Sequence, residues 1–331
     1  MQRPIRSLRL AVSAAFLVGI AGCHAPVSQM VSPGVTGASA TAKATWLSYP
    51  DAPTARYGAT ALPNGFTMYT IGGQGAGKTP LATFETFFTF DKWETLKPMP
   101  TARYGQSAVI IPADRIFVTG GTSGAGPLNK TEIYRTDTKT WSTVAPMPTA
   151  RSGAAAAGHG LMAYVAGGDT NGKVLNTFEV FDGTTMAWRK LPDMPNARTG
   201  AVSAILGDRQ FVVAGGFSEA GPTGSVDRWD TELKKWTTGA PMPTPRVNAG
   251  FAIYGNHLFV IGGQTAAGPS AVVESYDLGT NTWTIRQSLP VALMAPTACK
   301  LGERMVVTGG RTSGGTLNSK TWGLPFPFGG K

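Results

Sequence analysis

The sequence predicts an all-β protein: a six-bladed β-propeller with four antiparallel strands per blade, the last blade completed by an N-terminal strand around Trp46. Three periodic features carry this expectation. Gly-Gly pairs stand at a near-constant spacing, at Gly72-Gly73, Gly120-Gly121, Gly167-Gly168, Gly215-Gly216, Gly262-Gly263 and Gly309-Gly310. A tryptophan follows the second glycine at one fixed interval in five units, as Trp93, Trp141, Trp188, Trp236 and Trp283. A Pro-x-x-Arg turn follows Trp46 and each of the next four tryptophans, again at a fixed interval, and ends at Arg56, Arg103, Arg151, Arg198 and Arg246. One unit duplicated at this period, with glycine pairs closing apolar runs, is the signature of small sheets arrayed about an axis.

Residues 1–22 precede the repeat and carry Arg3, Arg6 and Arg9 ahead of an apolar stretch at 10–20. That order reads as an export signal, and the stretch is short for a bilayer span. It ends in Ile20-Ala21-Gly22-Cys23, which resembles the lipobox of bacterial lipoproteins, where the cysteine is lipidated and becomes the new N-terminus. Residues 23–44, rich in Ala, Ser, Thr, Val and Gly, then read as the lipidated Cys23 and a flexible tether. The expected location is the cell envelope, membrane-anchored. Because His24 rather than an aspartate follows Cys23, the outer membrane or cell surface is favoured over the inner membrane.

Within residues 45–331, the second unit shows how a repeat becomes a blade. Residues 105–111 and 115–119 are apolar runs joined by Pro112-Ala113-Asp114, a hairpin that ends at Gly120-Gly121. A small-residue loop at 122–127 follows, then a third strand at 132–136, a turn at 137–139, and a fourth strand at 141–145 containing Trp141. The glycine pair is expected where the blades crowd near the axis and a Cβ would strike neighbouring backbone. The tryptophan supplies the apolar area that packs one blade on the next. The last unit has no tryptophan at the corresponding place after Gly310, while Trp46 stands ahead of the first pair. The N-terminal strand should therefore complete the sixth blade and tie the chain ends together, removing exposed sheet edges.

Composition narrows the function classes. Glycine is abundant, 43 residues without collagen periodicity, and the 24 prolines cluster in repeated turns, as suits an all-β chain. The net charge is +10, and loss of the three signal arginines leaves 26 basic against 19 acidic residues, a net +7. This excess is spread out without basic runs or a nucleic-acid motif, so no nucleic-acid partner is expected, although attraction to anionic glycans or headgroups fits. Cys23 and Cys299 are the only cysteines. No disulfide is expected within the domain, and Cys299 reads as a small buried apolar residue of an innermost strand.

The Gly-Gly pair, the aromatic-acidic step that follows it (Glu179 with Phe181-Asp182, Glu274 with Tyr276-Asp277) and the distal tryptophan together resemble the kelch repeat, over about residues 45–325. The resemblance is specific for fold and unspecific for activity. It implies a binding or interaction protein, with sialic-acid epimerases and galactose-oxidase-like proteins as enzymatic precedents on the same scaffold.

In an up-and-down blade, the fourth-to-first and second-to-third connections share one face of the disc, where a site is sought. Five arginines at this face, Arg56, Arg103, Arg151, Arg198 and Arg246, could fork onto carboxylates, sulfates or phosphates, or could bind the carbonyls and acids of their own blades. In the sixth blade the position is Leu293, which makes its neighbourhood the asymmetric patch. The second-to-third connections keep one length and add Arg311, Asp169 and Glu219 as candidate ligand contacts on a shallow polar rim. Glu85, Glu132, Glu179, Asp227 and Glu274 recur once per blade and read as structural acids. Catalytic residues, metal ligands and cofactors are not expected: His159 and His257 fall in turns on the other face, and the glycine-rich 72–79 segment lacks the helix a phosphate loop needs. For an epimerase, the nearest acid-arginine combination is Glu219 with Arg198 or Arg246. The expected function is noncatalytic binding of an unknown glycan, peptide or envelope protein, the alternative being a carbohydrate-active enzyme at the same face.

Overall fold

The computed structural model describes residues 45–327 except residue 113, so the export signal, Cys23 and the tether lie outside the described residues. Twenty-four strands form six four-stranded antiparallel sheets. The first blade is Thr60–Asn64, Thr67–Ile71, Phe84–Phe88 and Lys92–Thr95, and the second is Ser107–Ile111, Arg115–Thr119, Thr131–Arg135 and Thr140–Val144. The third, fourth and fifth repeat this order from Ala155–His159, Val202–Leu206 and Gly250–Tyr254. In each blade the first strand is innermost, and the distal tryptophan of the first five sits on the outermost.

The sixth blade takes Thr297–Leu301, Arg304–Thr308 and Thr321–Pro325 from the C-terminal end and Leu47–Tyr49 from the N-terminal end. Leu47 pairs with Gly323, Ser48 with Trp322 and Tyr49 with Thr321. Trp46, just before this strand, completes a second kind of ring. The indole N–H of each distal tryptophan donates to a carbonyl of the connection that follows the preceding blade: Trp93 to Pro50, Trp141 to Lys97, Trp188 to Ala145, Trp236 to Pro192 and Trp283 to Ala240. Trp46 donates in the same way to Ser288, at 2.7 Å. The N-terminal strand therefore replaces the missing tryptophan chemically as well as topologically.

Apolar seams lie between blades. Trp141 meets Phe84 of the first blade at 5.6 Å between ring centroids, and Trp236 meets Phe178 of the third at 5.0 Å. These are offsets at which ring pairs attract beyond their buried area. The glycine pair tightens the same seams near the axis. The second glycine's N–H donates to the carbonyl at the next blade's arginine position in all six units, from Gly73 to Arg103 at 2.9 Å round to Gly310 to Arg56 at 2.8 Å. A Cβ on Gly120, whose φ is 62°, would lie 2.7 Å from the Arg151 carbonyl oxygen, so no side chain fits there.

The second-to-third connections are more ordered than the sequence suggested. Four of them form small hairpins of two-residue strands, among them Thr122–Ser123 with Gly126–Pro127 and Asp169–Thr170 with Lys173–Val174. The first blade uses a 3-10 turn, Ala76–Lys78, instead.

On the opposite face, aspartates fasten the turns. Asp182 accepts the Thr184 N–H at 2.8 Å, and Asp230 accepts those of Leu233 at 2.9 Å and Glu232 at 3.0 Å. These backbone hydrogen bonds hold both carboxyls below the usual aspartate range. A depressed folded pKa contributes stability that is present above the unfolded value, about 3.9, and is lost as pH falls through the folded one. The melting temperature should therefore drop below about pH 4. A melting temperature that stays level from about pH 6 to about pH 3 would contradict this.

Candidate functional site

The five repeated arginines are buried and paired. Arg103 and Glu132, both 0% exposed at the side chain, meet at 2.7 Å, as do Arg56 and Glu85. Arg246 approaches Glu274 at 2.9 Å, and Arg151 pairs with Glu179 and Arg198 with Asp227. Arg103 shows the full arrangement. Its Nη1 donates to the carbonyls of Gly120 and Lys130, and its Nη2 to Glu132, so one guanidinium ties the end of the second strand to the start of the third. The acid also accepts from the residue two before the arginine: from the hydroxyls of Thr54, Thr101, Thr149 and Thr244, and from the amide of Asn196. Burial pulls the guanidinium of Arg103 below its ordinary value while Glu132 pushes it back up. The same opposition holds at Arg56, Arg151, Arg198 and Arg246.

Of the two readings open for these arginines, the geometry matches the one in which each binds the carbonyls and acid of its own blade. Arg56, Arg103, Arg151, Arg198 and Arg246 do not present a ring of free guanidinium groups to a ligand, because each already has a carboxylate and a buried position of its own. An arginine desolvated to this degree is held by its partners. The sixth blade omits the whole device at once: Leu293 replaces the arginine, Val291 the threonine, and Trp322, opposite Val307 as Glu132 is opposite Val118, the acid. Leu293 joins an apolar cluster with Leu289 and Leu324, and Thr321 donates to Thr308 at 3.3 Å. Losing the arginine and acid together leaves no buried charge unpaired.

The axial mouth is tighter than a site at this face requires. Two positions after each of the first four arginines stand Gly58, Gly105, Gly153 and Gly200, followed in the fifth and sixth blades by Asn248 and Ala295, all with positive φ. Their backbones bond from blade to blade, Gly105 to Gly58, Gly153 to Gly105, Gly200 to Gly153, Asn248 to Gly200 and Gly58 to Ala295, at 2.7 to 3.2 Å. The belt encloses a cavity of about 130 Å3. That volume holds a handful of waters.

Around the belt lies the rim on which a ligand could rest. The residue after each glycine pair bridges the one after each arginine position: Gln74 with Tyr57, Thr122 with Tyr104, Asp169 with Ser152, Phe217 with Thr199, Gln264 with Val247 and Arg311 with Met294. Arg311 differs from the other candidate arginines. It is partly exposed, no described carboxylate pairs with it, and its guanidinium lies over the Tyr57 ring, 5.0 Å from the centroid. Asp169 stands three blades away across the ring, its carboxylate accepting only the Gly172 N–H at 3.3 Å among the bonds described. Glu219 is exposed at the turn of its own hairpin. The fold does not bring Glu219 together with Arg198 or Arg246 as an acid-arginine pair, since Asp227 and Glu274 already occupy those guanidinium groups.

No group of three or more metal-ligating side chains occurs among the described residues. Cys299 is buried, and burial pushes its thiol well above the usual range, which removes it as a nucleophile. The larger concavity is on the other face, where the innermost strands open into a funnel of about 620 Å3. Period-two alternation of the innermost strands was the available signal for it.

Comparison with known proteins agrees with this architecture. The family described as the KLHDC2/KLHL20/DRC7 Kelch-repeats domain matches residues 39–216, and the Kelch motif matches residues 197–243 and 245–290. The solved structure of YjhT is similar with a TM-score of 0.73 at 19% sequence identity, covering 85% of this chain and 97% of that one. At that identity the likeness speaks for the fold. No curated protein matches the chain in sequence. With 1037 chains of solved structures matching, the fold is too widely shared to fix an activity. The glycine pairs, the distal tryptophans with Trp46 among them, and the matches spanning residues 39–290 establish that the chain belongs to the kelch-repeat family.

Proposed function

We propose that this protein is a noncatalytic binding propeller, displayed at the bacterial cell envelope through a lipidated Cys23, that engages an anionic glycan on its rim. One observation carries the proposal: of the six candidate arginines, Arg311 alone has no described carboxylate partner, and it is laid on an aromatic face. A guanidinium fixed by stacking is pre-organised to fork onto a carboxylate or sulfate. Tyr57 beneath it, half-buried, and further round the rim the half-buried Tyr104 and Phe217, 40% exposed, offer flat apolar surface. Such a shallow site suits a sugar chain lying across the rim better than a small molecule enclosed in a pocket.

A glycan array probed with the full chain tests this. Arg311→Ala should lose the acidic glycans bound by the parent while its melting temperature stays unchanged. Equal array profiles for the two proteins would refute the assignment.

The envelope location rests on the Ile-Ala-Gly-Cys run and the apolar stretch before it. The chain enters the propeller at Trp46 on the hairpin-turn face, opposite the rim, which is compatible with an anchor at the N-terminal end. Cys23→Ser is expected to move the protein from the membrane fraction to the soluble one. Persistence in the membrane fraction would argue against lipidation.

A further inference from the structure

The funnel on the hairpin-turn face has no part in rim binding, yet it is larger than the cavity beneath the rim. Its volume of about 620 Å3 falls within the range of about 300 to 1,000 Å3 typical of small-molecule sites. Alternate residues of an innermost strand face the axis. The wide end is consequently ringed by Pro63, Ile110, Gly158, Ile205, Ile253 and Lys300. One layer deeper the wall is alanine or serine except for Phe251, which also lines the cavity beneath the rim and so stands at the waist between the two. The one hydroxyl at that depth, Ser203, is spent on the Ala156 carbonyl at 2.9 Å. Nothing along the wall rewards a polar solute.

The mouth differs. Lys300 is the charged member of the ring, its ammonium 4.6 Å from the Tyr254 ring and 3.4 Å from a carboxylate oxygen of Glu303. Glu303 is 67% exposed, so it holds the lysine loosely, and an ammonium has three N–H donors to share. Phe66, 60% exposed on the first-blade hairpin, also lines the mouth and gives it an apolar lip.

We propose that this funnel binds a single-chain anionic amphiphile, its alkyl chain along the axis as far as Phe251 and its carboxylate on the ammonium of Lys300. Burial of methylene groups against the isoleucines supplies the affinity. The charge-assisted hydrogen bond at the mouth supplies the preference for an anionic head.

The test is calorimetric titration of decanoate, below its micelle concentration, into the full chain carrying Cys23→Ser, with decyltrimethylammonium as the cationic counterpart. The expected result is saturable one-to-one binding of decanoate, with the cation roughly tenfold weaker. Ile253→Glu, which places a carboxylate in the wall, should weaken decanoate by at least about tenfold. Lys300→Ala should erase the preference between the two heads while leaving the melting temperature unchanged. Absence of saturable decanoate binding overturns the proposal, as does binding that Ile253→Glu leaves intact. Should Ile253→Glu fail to fold, the partly exposed Lys300→Ala decides alone: a head-group preference that survives it overturns the assignment.

Discussion

Glu132→Ala is expected to lower the free energy of unfolding by about 3–5 kcal/mol, read by urea denaturation of the full chain. The magnitude follows from burial. Arg103 and Glu132 are both 0% exposed, and removing the acid leaves a guanidinium with its charge uncompensated in a site closed to water. It also strands the Thr101 hydroxyl, which donates to the same carboxylate at 2.6 Å. Replacing the whole device should cost far less, because exchanging a buried ion pair for apolar groups of similar volume is often close to neutral. The sixth blade already carries such an exchange as Val291, Leu293 and Trp322. Thr101→Val, Arg103→Leu and Glu132→Leu together, which leave no charge buried, are therefore expected to recover most of the stability lost in Glu132→Ala. If the triple variant is as unstable as the single one, the ion pairs do more than hold each blade together.

The second large effect is at the closure. Deleting residues 41–50 should lower the melting temperature of the whole ring and increase self-association relative to the parent chain, measured by calorimetry and light scattering. The deletion removes the short strand that pairs with Thr321–Pro325, leaving that strand as an open edge. It also removes the Trp46 indole bond to Ser288 and the ring of Tyr49, which meets Phe90 at 5.3 Å across the seam between the sixth and first blades. Trp46→Ala alone should cost about 3 kcal/mol, since it truncates a large ring packed on an apolar cluster and leaves the backbone pairing in place. Unchanged unfolding in the deletion would show that the last blade closes without its outer strand.

Much of this was legible by counting. The glycine pairs, the fixed step from each pair to its tryptophan and the displaced Trp46 specify six blades and their closure, because each position answers to a local demand: no room for a Cβ, or a ring needed at a seam. The arginines were legible as positions and not as contacts. Their partners stand a near-constant step further along the chain, from Arg56 with Glu85 to Arg246 with Glu274, and both are replaced together at Leu293 and Trp322. That joint absence was the sequence signal for pairing. The belt of Gly58, Gly105, Gly153 and Gly200 was equally countable, as Arg-x-Gly. The funnel's inward-facing residues could be read from period-two alternation, whereas its width could not, because it depends on how six strands converge on one axis, a distance no single repeat contains. The rim fell between these cases. Arg311 could be named, whereas its seat on Tyr57 joins the sixth blade to the first and appears only after closure.

The central claim is that the repeated arginines belong to the scaffold and that ligand contact falls to a residue that breaks the repeat. The most direct measurement compares two variants on the same glycan array and in the same denaturation series: Arg311→Ala, and Arg151→Leu combined with Glu179→Thr. Arg311→Ala should abolish acidic-glycan binding at unchanged stability, while the paired substitution changes stability and keeps the binding profile. Loss of glycan binding in the paired variant while it remains folded, with Arg311→Ala binding as the parent does, would contradict the account.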